Sequence, residues 1–156
     1  MTLMSRKVDY ALLILAYLDR NAEGGCAREI ANRYGLNKGF VANILKDLRH
    51  KGFVASHRGV KGGYVLRRPA EDINLAELME TLDEGFHLAE CNKVSADACT
   101  HESLCPVKGA IAEVHHRIRE VLRGVTLADL FRPPTEGPRH GLALELLPLE
   151  TQLVGH

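Results

Sequence analysis

The stretch from Ala27 to Arg67 constrains the fold more than any other part of the chain. Ile30 and Ala31 mark the inward side of a short helix over Ala27 to Tyr34, and Gly35 supplies a left-handed residue to end it. Asn37 then caps a second helix, Lys38 to His50, in which Val41, Ile44, Leu45 and Leu48 recur at the helical period. Two helices joined by three or four residues that include a glycine make the helix-turn-helix pattern. Gly52 stops the second helix. Two strand-like runs, Phe53 to His57 and Tyr64 to Arg67, then flank Arg58-Gly59-Val60-Lys61-Gly62-Gly63. Such a run is a β-hairpin with a basic tip, so the expected fold is mainly α with a small β-hairpin, a winged helix-turn-helix.

The remaining segments complete that unit. Ser5 caps a first helix whose Val8, Leu12, Leu15 and Ala16, with Ala11 and Leu18, form a broad apolar face ending near Asn21 to Gly25. Pro69 to Asp72 makes a turn, and Asn74 with Glu77 reads as a capping box for a helix through Leu82. Asp83 to Leu104 lacks periodicity, and a loop of that length in a compact domain carries function or disorder. Pro106 suits the first turn of a long helix through Arg123, with Gly124 beyond its end. Ala110, Ile111, Val114, Ile118, Val121 and Leu122 line one side of it. Thr126 and Asp129 form a second capping box before a short helix, Leu127 to Phe131. The expected organisation is a DNA-binding domain over 1–82, a cysteine-bearing loop over 83–105, two helices over 106–131, and a tail over 132–156 that is disordered or packs on a partner.

Charge narrows the function. The net charge is zero, yet residues 1–70 hold 13 Lys and Arg against 5 Asp and Glu, a net of +8, and residues 71–156 hold the compensating −8. A half that basic is a phosphate-binding face. In a helix-turn-helix the N-terminal part of the second helix enters the major groove. Its outward residues here are Lys38, Gly39, Phe40, Ala42, Asn43 and Lys46. Asn43 suits a bidentate contact to adenine, Lys38 a guanine or phosphate, and Phe40 or Ala42 a thymine methyl. Arg58 at the hairpin tip is the candidate for minor-groove entry. Arg6, Lys7, Arg49, Lys61 and Arg67 supply phosphate contacts. No Ser–His–Asp set, phosphate loop or HExxH run occurs, so catalysis has no positive support.

Cysteine usage adds a second chemistry. Cys91, Cys99 and Cys105 crowd the acidic loop, separated by seven and five residues. Thiolates select zinc, copper(I) or iron–sulfur clusters over hard cations. The spacing fits neither the short zinc patterns nor the common ferredoxin runs. No secretion signal is evident and no apolar run approaches the ~18 residues that span a bilayer, so a cytoplasmic chain with reduced thiols is expected. Three readings stay open: a cluster, a closed zinc site completed by His101, or bare thiols that sense oxidants. Cys26 reads as a small half-buried residue before the second helix, and His115 and His116 as surface or interface residues.

Several phrases together resemble a known family. Val8-Asp9-Tyr10-Ala11-Leu12, Arg28-Glu29-Ile30-Ala31, Arg58-Gly59-Val60-Lys61-Gly62-Gly63-Tyr64 and Thr126-Leu127-Ala128-Asp129-Leu130 look like the winged-helix iron–sulfur regulators that include IscR, NsrR and RirA. Ser56-His57-Arg58-Gly59 and Cys105-Pro106-Val107-Lys108-Gly109 look closest to the branch that regulates SUF cluster assembly. The resemblance spans residues 1–131. It implies a homodimer packed through the long dimerisation helix, a pseudo-palindromic operator on double-stranded DNA, and a 2Fe-2S or 4Fe-4S iron–sulfur cluster held by Cys91, Cys99 and Cys105. IscR-like members place a His three residues after the last cysteine, where this chain has Lys108. NsrR-like members use an Asp on the first helix of the other subunit, which implies Asp9 as the fourth ligand. His101 and Glu102 are local alternatives, and an Asp in a first helical turn also meets the helix dipole without any metal. A protein-interaction module or a small electron carrier is the rival class, and neither needs a basic half.

Overall fold

The computed structural model describes residues 4–57, 62–82, 87–89 and 104–132. Its elements run α1 (Arg6–Arg20), α2 (Ala27–Tyr34), α3 (Lys38–His50), β1 (Val54–His57), β2 (Gly63–Leu66), a 3-10 turn (Ala70–Asp72), α4 (Leu75–Leu82), α5 (Lys108–Gly124) and α6 (Leu127–Phe131). The expected mainly helical fold with one hairpin is observed. Arg58, Lys61, Cys91, Cys99, His101, Glu102 and the tail from Pro133 lie outside the described residues.

Local chemistry sets the helix ends. Ser5 Oγ accepts from the Val8 amide at 3.3 Å and Asn37 Oδ1 from the Phe40 amide at 3.1 Å, each satisfying an orphan donor of its helix. Gly35 closes α2 with φ +66°, a left-handed conformation that favours glycine. Thr126 and Asp129 satisfy one another's amides in a reciprocal box. Asn74 accepts from the Glu77 amide at 2.9 Å, but the Glu77 carboxylate turns outward to pair with Arg68. A guanidinium is a stronger partner for a carboxylate than a neutral amide. α5 differs from expectation at both ends. It starts at Lys108 behind Val107, which offers no side-chain cap, and it includes Gly124.

α1 is the hub, packed against α2, α3, α4, α6 and β2. It buries Val8, Ala11, Ile14, Leu15 and Leu18, so Ile14 joins the inward face while Leu12 and Ala16 are half-buried. Phe53, Ile30, Leu45, Leu48, Ile73, Leu78 and Leu127 complete the core. Among the described residues no polar or charged side chain is buried.

Two antiparallel bridges lock the peripheral pieces. β1 and β2 pair from Val54↔Leu66 to His57↔Gly63, and the α1–α2 loop joins them as a partial third strand. The Gly25 amide donates to Tyr64 O at 3.0 Å and the Tyr64 amide to Gly25 O at 2.9 Å. At the other end Asn74 bridges Thr126, with the Leu75 amide on Val125 O at 2.9 Å and the Leu127 amide on Ile73 O at 2.8 Å. Arg119 Nε on Glu80 Oε1 at 2.6 Å ties α5 to α4. The long helix is thus fastened to the helix-turn-helix unit.

Candidate nucleic-acid interface and cysteine site

Of the six α3 residues expected to face outward, Ala42 is half-buried and the other five are exposed. Val41, Ile44, Leu45 and Leu48 are buried on one side of α3, while Lys38, Phe40, Asn43 and Lys46 are exposed. At 100° per residue, Asn43 and Lys46 sit at the middle of the outer face and Lys38 and Phe40 at its margins. Arg6, Arg28, Arg33, Arg49 and Arg67 are exposed around it. Lys7 behaves differently. It forms an ion pair with Asp47 at 2.8 Å, and its hydrogen bond is the first cause that holds the Asp47 carboxyl below its ordinary value. That contact braces α1 on α3.

The base of the wing is built from close backbone contacts. A Cβ on Gly63 would stand 2.8 Å from Gly25 O, and one on Gly25 would stand 2.5 Å from the Tyr17 ring. Gly24, at φ +86°, lies under Tyr64 O in the same way. Arg58 and Lys61 fall in sequence between the two strands that this contact orients. Tyr17 in turn meets Tyr34 edge-on at 6.4 Å. None of this was legible beforehand, although the Gly24-Gly25 pair is a visible signal of close approach.

For the cysteine site, Cys105 is half-buried and stands three residues before α5. Asp9 lies exposed in the first turn of α1. Among the described residues no group of three or more His, Cys, Asp or Glu could hold a metal, and Cys91 and Cys99, the expected companions of Cys105, lie outside them. Soft sulfur donors remain the right chemistry for an iron–sulfur group or zinc. His87, a few residues before Cys91, stacks on His115 of α5 at 6.3 Å and 12°. Burial, then His87, lowers the pKa of His115. Cys26 is half-buried at the start of α2, its amide donating to Glu29 Oε2 at 2.8 Å.

α5 exposes apolar surface. Leu122 is buried, but Val107, Val114 and Val121 are 55%, 46% and 49% exposed, and Leu104 just before them is 86% exposed. Val107, Val114 and Val121 recur every seven residues, a spacing that puts them on one side of the helix. No helix among the described residues is long and apolar enough to cross a membrane.

Comparisons with known proteins agree with this geometry. The sequence model of Rrf2, described as an iron-dependent transcriptional regulator, matches residues 4–133. A putative HTH-type transcriptional regulator, rrf2-like, from Rhodobacter capsulatus is 34% identical over 83% of this chain and 92% of its own length. The HTH-type transcriptional regulator NsrR of Bacillus subtilis is 28% identical over 83% of this chain and 90% of its own. Among solved structures, CymR, the global cysteine regulator of B. subtilis, superposes with a TM-score of 0.65 at 28% identity, covering 84% of this chain and 97% of CymR. IscR of T. potens gives 0.61 at 29% identity, covering 81% and 84%. Both of these relatives are named as transcriptional regulators rather than enzymes.

Proposed function

This chain belongs to the Rrf2 family of transcriptional regulators, and on that premise we propose that it is a homodimer that senses iron–sulfur status, redox state or nitric oxide through a cysteine-held iron–sulfur cluster, and so controls cluster-assembly genes. The observation that carries the DNA-binding half of this reading is the exposed fan of Lys38, Phe40, Asn43 and Lys46 over a buried apolar stripe, on a half-chain of net charge +8. Arg58 and Lys61 would add minor-groove and phosphate contacts from the wing. Two-fold symmetry would place the recognition helices on half-sites one or more helical turns apart. The exposed stripe of Val107, Val114 and Val121 supports α5 as the dimer face.

Cys91, Cys99 and Cys105 would hold the cluster, 2Fe-2S or 4Fe-4S, with Asp9 of the other subunit as fourth ligand. The cluster would supply a labile centre whose state depends on iron, sulfide and oxidants. The chain's own part is mechanical. Asp9 lies between Val8, wholly buried in the α1 core face, and Tyr10, which touches the recognition helix. A displacement of Asp9 would therefore reach α3 through the Tyr10–Phe40 contact. A reorientation worth ~1.4 kcal/mol changes affinity tenfold.

Anaerobically purified protein should be coloured, with iron and acid-labile sulfide, and should bind a pseudo-palindromic operator with affinity that falls steeply as salt rises. Asp9→Ala should damage the cluster far more than His101→Ala. A colourless protein with stoichiometric zinc defeats the cluster, and salt-insensitive binding defeats the phosphate face. A second reading, thiol sensing without a metal, is supported by the similarity to CymR, which has been solved in an oxidized form from Staphylococcus aureus. It predicts iron-free protein whose DNA affinity responds to oxidant and recovers with reductant.

A further inference from the structure

We infer that Tyr10, outside the helix-turn-helix, is a positioning residue that seats Phe40 to read the methyl group of a thymine. This rests on the DNA-binding reading and is independent of any cluster. Phe40 is unlike the other large apolar residues of α3. Val41, Ile44, Leu45 and Leu48 are at most 2% exposed, whereas Phe40 is 39% exposed. Its place on the helix is the margin between the buried stripe and the outer face of Asn43 and Lys46. There its ring meets Tyr10 edge-on, with centroids 5.1 Å apart and planes at 86°. That is the arrangement aromatic quadrupoles favour.

The surroundings fit a held and uncovered ring. Gly39 contributes no side chain, and a Cβ there would meet only Asn37 Oδ1, at 3.2 Å. α1 grips the same margin of α3 a second time through Lys7 and Asp47. Lys7 and Tyr10 are one turn apart on α1, and Phe40 and Asp47 two turns apart on α3, so the two contacts fix the helices against rotation. Ordering a free side chain on binding costs rotamer entropy, and a ring already seated by Tyr10 has met that cost in the free protein. In the major groove the thymine C5-methyl is the apolar group on display. An exposed, pre-seated aromatic ring at the groove-entering end of a recognition helix matches it.

The test uses the full-length protein and an operator duplex selected by it from random DNA, with each thymine replaced in turn by deoxyuridine, which removes only the methyl group. Wild-type protein should lose about fourfold in affinity at one thymine per half-site, the worth of one buried methyl. Phe40→Ala should bind more weakly and show no response there. Tyr10→Ala should reduce the response to less than about twofold, and Tyr10→Phe, which keeps the ring, should restore it. Should Tyr10→Ala fail to fold by circular dichroism, Tyr10→Leu keeps the bulk without the aromatic edge and should show the same loss. A wild-type protein indifferent to every methyl, or a full response in both Tyr10→Ala and Tyr10→Leu, overturns the inference while DNA binding stands. Absence of salt-sensitive binding to any duplex overturns both.

Discussion

Gly63→Ala should damage both stability and DNA binding, because of what the added methyl meets. The new Cβ would stand 2.8 Å from Gly25 O, 2.9 Å from Gly25 C and 3.4 Å from Cys26 N, all backbone atoms that no rotamer change can move. The chain has two ways out. It can keep the contact and accept overpacking, at about 1–3 kcal/mol. Alternatively the hairpin can swing away from the α1–α2 loop and give up the Gly25–Tyr64 pair, two hydrogen bonds of 3.0 and 2.9 Å. At about 0.5–1.5 kcal/mol net for each bond, that route also costs about 1–3 kcal/mol. The routes are alternatives, so the costs do not add. For a chain of 156 residues the loss lowers the melting temperature by about 2–4 °C per kcal/mol. Overpacking forces backbone shifts and the swing re-aims the hairpin outright, so either route disturbs the strands that flank Arg58 and Lys61 in sequence, and operator affinity should fall about tenfold or more, ~1.4 kcal/mol. Denaturant titration at fixed protein concentration measures the first effect and a salt-controlled operator titration the second. Gly109→Ala is the control. Nothing lies within 4 Å of its Cβ in one chain, and alanine in a helix should add up to about 1 kcal/mol. A Gly63→Ala protein as stable as wild type with unchanged affinity would refute the account of the wing's base.

Leu45→Ala, at a position 0% exposed, should cost about 2–5 kcal/mol in denaturant titration, and a loss below about 1 kcal/mol would show that α3 does not close the core as described. Val114→Asp puts a charge on the exposed stripe of α5 and should raise the dimer dissociation constant at least about tenfold by sedimentation velocity, while unchanged association would move the dimer face elsewhere. The Glu80 carboxyl is held below its ordinary 4.5, first by the hydrogen bond from Arg119. A depressed carboxyl contributes stability above its unfolded pKa and loses it as pH falls through the folded one. Glu80→Gln should therefore flatten the acid side of the stability–pH curve below about pH 4.5, and a curve superimposable on wild type would rule out the α4–α5 tie.

What the sequence determined by itself is the set of interactions made between near neighbours. Ser5, Asn37 and Thr126 cap helices within three residues, Gly35 ends α2 with its own backbone, and the α3 stripe follows from the helical period alone. Those contacts need no knowledge of what lies opposite. The same locality explains where the reading stopped. The periodicity of α5 marks an apolar stripe but does not tell that only Leu122 is buried in one chain and that Val114 and Val121 stay exposed. Asn74 and Glu77 have the spacing of a capping box, yet the carboxylate went to Arg68, a partner placed by the chain's return past β2. The Gly25–Tyr64 and Asn74–Thr126 bridges, the Lys7–Asp47 ion pair and the Tyr10–Phe40 contact join residues 30 to 52 positions apart. Only the tertiary structure decided them, because periodicity reports which side of a helix turns inward and says nothing about which surface it will find there.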